Sequence, residues 1–425
     1  MKKLILLSSI TAGLLFANGY KVPEQSINGL ALSAAYVANA NGADSAYYNP
    51  ANMVFNENKS SYEILMTYIY LPKVTFKNNN GESYDSRKEE FLVPQFHFSS
   101  KNFNGWRFGV SIVAPAGLSK RWDDIIPQAG AKEFTLKTIE LNPTVAKQIN
   151  NNFSMAFGIR AVKSEGTANI LGIKDNGDGT TTPLYSQYLN GTSVDFGWNA
   201  AVSYQNDNRD LKIAATYRSK INLTLKGNAS GYYLTNLLLA KNPTLPLTAN
   251  TYKNFNTSGR VTLPIPAALN LAVAKTFDKT TIEIVIERTF WSSYKKLDFD
   301  FDNPFVDALF GTSKPKDWKD VNTYRIGITH KCSDKLTLMV GYAYDKTPVP
   351  DSTIDFSLPE SDKHIFSGGI KYKYDDRLTF GFSALYAKQT DRKASIYDPV
   401  SGTYTKGEFT DGGAFLMAFG IDYAY

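Results

Sequence analysis

Cysteine is almost absent from this sequence of 425 residues, which contains only Cys332 and therefore cannot form an internal disulfide. After the N-terminal segment, no run of about eighteen apolar residues occurs, which excludes membrane-spanning helices. No basic cluster suggests a nucleic-acid partner, and the formal net charge of +6 is modest for this length. His97, His330 and His364 are far apart in sequence and lack metal-ligand spacing, and no nucleophile motif stands out. We therefore expect no metal, no cofactor and no enzymatic activity.

The N-terminus is typical of a secretory signal peptide. Lys2 and Lys3 precede an apolar stretch at residues 4–16 that is too short to span a bilayer, and the small Ala17 suits the position before a cleavage site. The sequence thus predicts a signal peptide over residues 1–17. A secreted chain without disulfides must be stabilised by backbone pairing and burial.

Alternation of large and small residues is the main signal in the rest of the chain, which is 13% aromatic. The pattern is clearest in FLMAFGIDYAY (415–425), LTLMVGYAYD (336–345), TIEIVIERTF (281–290) and FSMAFGIRAV (153–162). One face of each such strand is large and apolar, and the other is small, polar or ionic. A soluble β-sandwich would turn its apolar face inward, but strands of about ten residues with aromatic ends and an ionic opposite face are typical of a lipid-facing barrel wall. The pattern favours a transmembrane β-barrel.

Connections between these strands give a strand count. Six short Asn/Asp-rich turns are predicted at 100–106, 148–154, 204–211, 276–281, 331–336 and 373–378. Seven longer irregular stretches are predicted around 72–90, 119–133, 163–192, 227–257, 297–320, 345–361 and 388–410. Together they predict an all-β, fourteen-stranded antiparallel barrel over residues 59–425. An even number of strands places both termini on the short-turn side, which is the periplasm in bacterial outer membranes.

Residues 18–58 precede the first strand and show no alternation. They include INGLALSAAYVANANGADSAYYNPANM (27–53), which is rich in small residues and suits short helices and close turns. Asn49 and Pro50 favour a turn, and Ala51 allows close backbone approach. Because fourteen strands enclose a lumen too wide for wall side chains to fill, we expect this segment to plug the barrel as an N-terminal hatch.

The third strand, at residues 106–122, is expected to contain a break. Its alternation ends at Ala114, Pro115, Ala116 and Gly117. Proline cannot donate to a sheet ladder and glycine weakens one, and unpaired backbone at membrane depth is tolerated only where it lines a cavity. One hypothesis is a lateral opening through which an apolar ligand leaves sideways into the bilayer. The other is an ordinary bulge at the outer rim.

Two predicted outer loops carry apolar clusters. Residues 227–250 contain Tyr232, Tyr233, Leu234, Leu237, Leu238 and Leu239, and residues 300–311 contain Phe305, Val306, Leu309 and Phe310. Apolar clusters on loops that face water usually indicate a binding site, so these residues are candidates for ligand capture. Alternatively, they pack only against each other and close the barrel mouth.

Inward-facing basic residues are candidate anchors for a ligand carboxylate. Alternation places Arg107, Arg160, Arg325 and Lys371 on the lumen side, where a charge-assisted hydrogen bond could orient a head group. The alternative is that such residues form ion pairs that support a polar lumen. A lumen pocket without a basic anchor would instead suit an uncharged aromatic hydrocarbon.

Residues 18–53, NGYKVPEQSINGLALSAAYVANANGADSAYYNPANM, resemble the N-terminal hatch of the long-chain fatty acid transporter family (FadL/TodX type). Residues 341–386, which begin GYAYDKTPVPD, are also similar to that family. The resemblance implies a monomeric outer-membrane barrel that passively takes up hydrophobic molecules, most simply long-chain fatty acids, and releases them through its wall into membrane lipid. An aromatic hydrocarbon channel of the same fold, a general porin and a surface adhesin remain alternatives.

Overall fold

The computed structural model of the chain describes residues 19–425, and the predicted signal peptide at 1–17 lies outside the described residues. Most of the described chain forms one antiparallel sheet that closes on itself. The closing pair joins the first and last barrel strands over ten rows, from Ser61 opposite Ala424 to Tyr70 opposite Phe415. The predicted closed barrel of fourteen antiparallel strands is confirmed.

Four of the fourteen strands, here numbered β1 to β14, consist of two segments each. Their bounds are β1 Ser61–Leu71, β2 Glu89–Ser99, β3 Trp106–Val113 and Gly117–Arg121, β4 Glu133–Gln148, β5 Phe153–Asp175, β6 Thr181–Gln205, β7 Leu211–Arg218 and Ile221–Leu234, β8 Tyr252–Ile265 and Ala268–Phe277, β9 Thr280–Thr289 and Phe299–Phe301, β10 Val321–Lys331, β11 Leu336–Asp345, β12 Lys363–Lys373, β13 Leu378–Gln389 and β14 Gly413–Ala424. Short turns join the strands at the end of the barrel where β1 begins and β14 ends. Long connections join them at the other end.

The large apolar face of the barrel wall points outward. Phe157, Phe196 and Phe419 are 48%, 69% and 58% exposed, whereas their neighbours Ala156 and Ala418 point inward and are buried. In water this exposed apolar surface would be unfavourable, but it suits contact with lipid tails. The alternation therefore reflects a lipid-facing wall and not the buried face of a sandwich.

One predicted irregular stretch is regular instead. The prediction of an irregular segment at 163–192 was wrong, because β5 and β6 are 23 and 25 residues long and remain paired as far as Asp175 opposite Thr181. The outward residues there are polar, including Lys163 and Glu165. Apolar alternation therefore ends above the lipid while backbone pairing continues, so periodicity alone could not find these extensions.

Residues 19–58 lie inside the barrel, against its inner wall. They form helix α1 (Ile27–Ala31), helix α2 (Ser45–Tyr48) and a 3-10 helix at Pro50–Phe55. Helix α1 contacts β11 to β14, and the 3-10 helix contacts β3 to β6. Among residues 19–425, none of the helices has the length and apolar character needed to cross a membrane.

Glycines in the wall make room for α1. A side chain at Gly341 on β11 would overlap the backbone of Leu32, and a Cβ at Gly381 on β13 would lie 2.8 Å from Ile27 Cγ2. Only glycine allows this close approach of helix and wall at these positions. The inner surface of the barrel is thus shaped to the segment that it contains.

The long-loop end is covered by ordered elements. The predicted irregular stretch at 388–410 was also wrong, since it forms a hairpin within a four-stranded sheet. The order of that sheet is Arg392–Asp398, Thr403–Thr410, Thr75–Asn78 and Ser83–Asp85. Three short helices also lie at this end, namely α3 (Ile125–Ala131), which contacts the hairpin, α4 (Asn236–Lys241) and α5 (Pro304–Phe310).

Candidate functional site

The wall is interrupted in β3, at Ala114, Pro115 and Ala116. Both segments of β3 pair with β4, but β2 pairs with β3 only through residues 96–99. In the described sheet, no backbone pair joins residues 89–95 of β2 to β3. The result is a lateral gap in the hydrogen-bond ladder between β2 and β3, beside the proline.

The first residues of the described chain cover this gap from the inside. Val22 N donates to Pro115 O at 2.9 Å, and Gly117 N donates to Tyr20 O at 2.9 Å. The Gln25 side chain pairs with both backbone groups of Ala114, since its Nε2 donates to Ala114 O at 2.8 Å and its Oε1 accepts from Ala114 N at 2.9 Å. Residues 20–25 therefore satisfy the backbone groups of Ala114, Pro115 O and Gly117 N, whereas those of Ala116 pair with the Thr138 hydroxyl, so a shift of this segment would expose the former.

Charged residues surround the same N-terminal segment. Lys21 Nζ donates to Glu287 Oε1 at 2.5 Å, and Arg325 Nη1 donates to Ser33 O at 2.8 Å. Both carboxylate oxygens of Glu24 are buried, and neither has a hydrogen-bond partner in the part of the chain that the structure describes. Burial raises the pKa of Glu24 to about 7, mainly because the charged form loses its hydration. Glu24 is thus a buried carboxyl group without a hydrogen-bond partner in the described part of the chain.

A single apolar cluster, here called the lumen cluster, extends from the outer helices to the start of the hatch. Its members include Leu238, Val306, Tyr233, Phe255, Phe299, Phe301, Trp291, Tyr294, Trp318, Leu118 and Tyr20. At its inner end, the Tyr20 ring lies 4.9 Å from Trp291, whose ring lies 4.7 Å from that of Trp318. These tryptophans were not among the predicted site residues, although buried tryptophan is a strong indicator of an apolar core. The lumen cluster meets the strand break through Tyr20 and Leu118.

The two predicted capture segments are brought together. Helices α4 and α5 contact each other, and Lys241 Nζ donates to Ala308 O at 2.6 Å. Leu238 and Val306 are fully buried, whereas Phe305 is 38% exposed. Leu237, Leu309 and Phe310 are partly buried against the lumen cluster, Leu239 is half-buried, and Tyr232, Tyr233 and Leu234 form the end of β7.

The predicted head-group anchors are not brought together. Arg107, Arg160, Arg325 and Lys371 lie on β3, β5, β10 and β12. Arg107 donates to the carbonyls of Asn56 at 2.9 Å and Glu57 at 2.5 Å, which holds the end of the hatch. Arg160 forms an ion pair with Glu140 at 2.8 Å, and Lys371 forms one with Asp422 at 2.8 Å. Arg325 donates to Ser33 O. Each candidate therefore already has a protein partner.

The Asn-Pro-Ala turn connects the hatch to the wall. Asn49 Nδ2 donates to Val37 O at 2.9 Å and to Ser203 Oγ on β6 at 2.8 Å. Pro50 begins the 3-10 helix, where its missing N–H costs nothing, and Ala51 O accepts from Ser154 Oγ at 2.9 Å. The three residues thus fasten the hatch to β5 and β6.

Glu283 is a second attachment point, and sequence analysis did not include it among the site residues. Its carboxylate accepts three consecutive hatch amides, Val37 N and Ala38 N at 2.6 Å each and Asn39 N at 3.1 Å. Alternation along β9 places Glu283 in the lumen, but a partner more than 240 residues away in sequence leaves no local signal. Charge-assisted hydrogen bonds of this kind are among the stronger ones in proteins.

Comparison with known proteins gives a consistent result. The profile of a family described as "Outer membrane protein transport protein (OMPP1/FadL/TodX)" matches residues 8–425. The chain is 26% identical over 362 residues to the long-chain fatty acid transport protein of Escherichia coli K12, covering 78% of this chain and 77% of that protein. It is 24% identical over 324 residues to outer membrane protein P1 of Haemophilus influenzae Rd, covering 70% and 66%.

Solved structures share the fold. A FadL homologue from Pseudomonas aeruginosa superposes with a TM-score of 0.82 at 18% identity, covering 95% of this chain and 99% of that chain. The toluene transporter TodX of P. putida superposes with a TM-score of 0.68 at 14% identity, again covering 95% and 99%.

Proposed function

The chain belongs to the OMPP1/FadL/TodX family of outer membrane transport proteins, and on that premise we propose that it is a passive channel for hydrophobic compounds, most simply long-chain fatty acids. The relative from E. coli is named for long-chain fatty acid transport and is similar over 78% of this chain. The observation that carries the proposal is the lumen cluster, a contiguous set of apolar side chains that extends from α4 and α5 to the break in β3.

In the proposed path, a ligand first binds among the apolar residues of α4 and α5. It then moves along the lumen cluster to Tyr20 and leaves through the gap between β2 and β3. Direct release into lipid keeps an apolar tail out of water, where exposure costs roughly 0.8 kcal/mol per methylene group. For a long-chain fatty acid, this cost would make release into water the slowest step.

The hatch, residues 18–58, is proposed to close the lumen at rest. We infer that both chain termini face the periplasm and that the protein acts as a monomer within outer-membrane lipid. Movement of residues 20–25 is proposed to open the lateral gap, because these residues occupy the backbone groups of Ala114, Pro115 and Gly117. No energy source is needed for a ligand that moves down its concentration gradient.

A second candidate is uptake of an uncharged aromatic hydrocarbon. It is supported by the four candidate anchors, each of which already binds a protein group. Solved toluene transporters also share the fold. Competition between a labelled fatty acid and toluene for uptake separates the two candidates.

Mass spectrometry of molecules that co-purify with gently solubilised protein tests the proposed function. We expect long-chain fatty acids; aromatic hydrocarbons would favour the second candidate. A general porin would instead give appreciable ion conductance in planar bilayers. A surface adhesin would keep its activity after deletion of residues 18–58.

Replacing Leu237 and Phe305 together by serine is expected to raise the substrate concentration for half-maximal uptake about tenfold, at little cost to the maximal rate. The two side chains are partly exposed on α4 and α5, so their loss removes apolar contact area for the ligand, and about 1.4 kcal/mol corresponds to tenfold. Uptake of labelled fatty acid at several concentrations measures this effect. The matched control is Tyr397→Ser, which removes an exposed aromatic ring from the outer hairpin. If both variants reach half-maximal uptake at the same substrate concentration, α4 and α5 do not belong to the uptake path.

A further inference from the structure

A cavity of about 600 Å³ lies at the short-turn end of the barrel, between the underside of the hatch and the wall. On the hatch side it is lined by side-chain amides, among them those of Asn39, Asn41 and Asn56. On the wall side it follows strands from β6 round to β12. It is separate from the lumen cluster, none of whose buried members lines it. Its volume falls within the range of small-molecule sites.

The charge of this cavity is strongly one-sided. Six basic side chains line it, from Lys59, Arg209, Lys212, Lys279, Lys331 and Lys371. Only two acidic ones, Glu57 and Asp278, do so. The surplus of four positive charges is large beside a net charge of +6 for the whole chain. A recess lined mainly by one sign of charge, between low-dielectric walls, concentrates ions of the opposite sign.

Three of the cations have no partner of their own. Lys371 pairs with Asp422 at 2.8 Å, Lys59 pairs with Glu57 at 3.3 Å, and Lys212 donates to Asn39 Oδ1 at 2.8 Å. Within residues 19–425, the remaining three make no side-chain hydrogen bond or ion pair. These three are Arg209, Lys279 and Lys331. Arg209 and Lys279 lie in the turns after β6 and β8, and Lys331 is the last residue of β10, so three separate turns bring them to one mouth.

We propose that this cavity, the basic vestibule, binds a small molecule through a phosphate or carboxylate group. The unpaired guanidinium and ammonium groups supply charge-assisted hydrogen bonds, and the asparagine amides supply further donors. Such an anion would contact the hatch and the wall at the same time. Because it binds only while both are in place, its binding stabilises the resting position of the hatch. The site is distinct from the proposed path of the hydrophobic ligand, and its occupancy does not depend on that function.

The test uses the full-length protein in a neutral detergent, with inorganic phosphate titrated at constant ionic strength against chloride. We expect a saturable rise in melting temperature with phosphate. We expect sodium octanoate to produce a similar rise, because its carboxylate can also bind the basic side chains. Octanol, which lacks the carboxylate, should produce none. A rise with phosphate alone assigns the site to free phosphate. No rise with either anion overturns the proposal.

Charge-removing variants locate the site. Arg209→Gln with Lys331→Gln is expected to weaken phosphate binding about tenfold or more, because two charge-assisted contacts are lost. The matched control, Lys174→Gln with Lys393→Gln, removes two exposed lysines at the opposite end of the barrel and should bind phosphate normally. An equal loss in both double variants would show a nonspecific charge effect and overturn the proposal.

The single cysteine provides an independent readout that does not depend on stability. Cys332 is exposed and follows Lys331 at the mouth of the basic vestibule. A negatively charged thiol reagent should modify Cys332 several-fold faster than a positively charged one, since the local positive potential attracts it. Bound phosphate and the Arg209→Gln/Lys331→Gln variant should both reduce this ratio. Equal rates for the two reagents in the unmodified protein would contradict a positive mouth.

Discussion

Replacing Pro115 and Gly117 together by valine is expected to reduce fatty acid uptake about tenfold or more while the barrel still folds. Valine at both positions restores an N–H donor and strand propensity to β3, so its ladder with β2 can extend past residue 112 and narrow the lateral gap. Initial rates of uptake of a labelled fatty acid measure the effect. Circular dichroism and melting temperature verify folding.

A proline elsewhere in the wall serves as the control for this variant. Pro143 lies within the uninterrupted strand β4, opposite Val110 of β3, and away from the gap. Pro143→Val should leave uptake unchanged. Normal uptake by the Pro115→Val/Gly117→Val protein would exclude the lateral gap as the exit and leave the break as a bulge in the wall.

Replacing Glu283 by alanine is expected to unlock the hatch. The amides of Val37 and Ala38, which are buried, and that of Asn39, which is partly buried, would lose their shared acceptor, at about 1–3 kcal/mol for each buried group left unpaired. Even the loss of about 3 kcal/mol raises the population of an open hatch by about two orders of magnitude. We expect the unmodified protein to show almost no ion conductance in planar bilayers and the Glu283→Ala protein to show frequent opening events.

Two further variants separate this effect from a general loss of charge. Glu283→Gln keeps an oxygen that can accept from the same amides, so its conductance should lie between those of the unmodified and Glu283→Ala proteins. Glu165→Ala removes a carboxylate from the outward side of β5, and it should not conduct. If Glu283→Ala remains as tightly closed as the unmodified protein, the hatch is held by its other contacts.

Membrane-level strands could be predicted from sequence because each one separates two environments. Lipid requires large apolar residues on one face, and the crowded lumen requires small or polar residues on the other, so a period of two is visible over about ten residues. Where β5 and β6 rise above the lipid, the outward face carries polar residues such as Lys163 and Glu165, so the contrast between a large apolar face and a small or polar face is lost. The outer hairpin at residues 392–410, whose buried side chains include Ala394, Ile396 and Phe409, was also missed.

The candidate site was only partly predictable. Pro115 marks the break in β3 because a missing donor is a property of one residue. The contacts that cover the break join Ala114 to Gln25, which is 89 residues away in sequence, and no local pattern encodes such a pairing. Alternation likewise placed Arg160 in the lumen but could not show that Glu140 would bind it. A charge on the inner face therefore indicates position and not role.

The pairing of β1 with β14 has a consequence for biogenesis. The last strand to be synthesised seals the wall, and the space behind that wall is occupied by residues 19–58. Ile27 N donates to Glu63 Oε1 on β1 itself, at 3.0 Å. We therefore expect the barrel strands to close around the N-terminal segment, which would act as a template for their pairing. If the barrel closed first while empty, the N-terminal segment would have to be threaded into it afterwards.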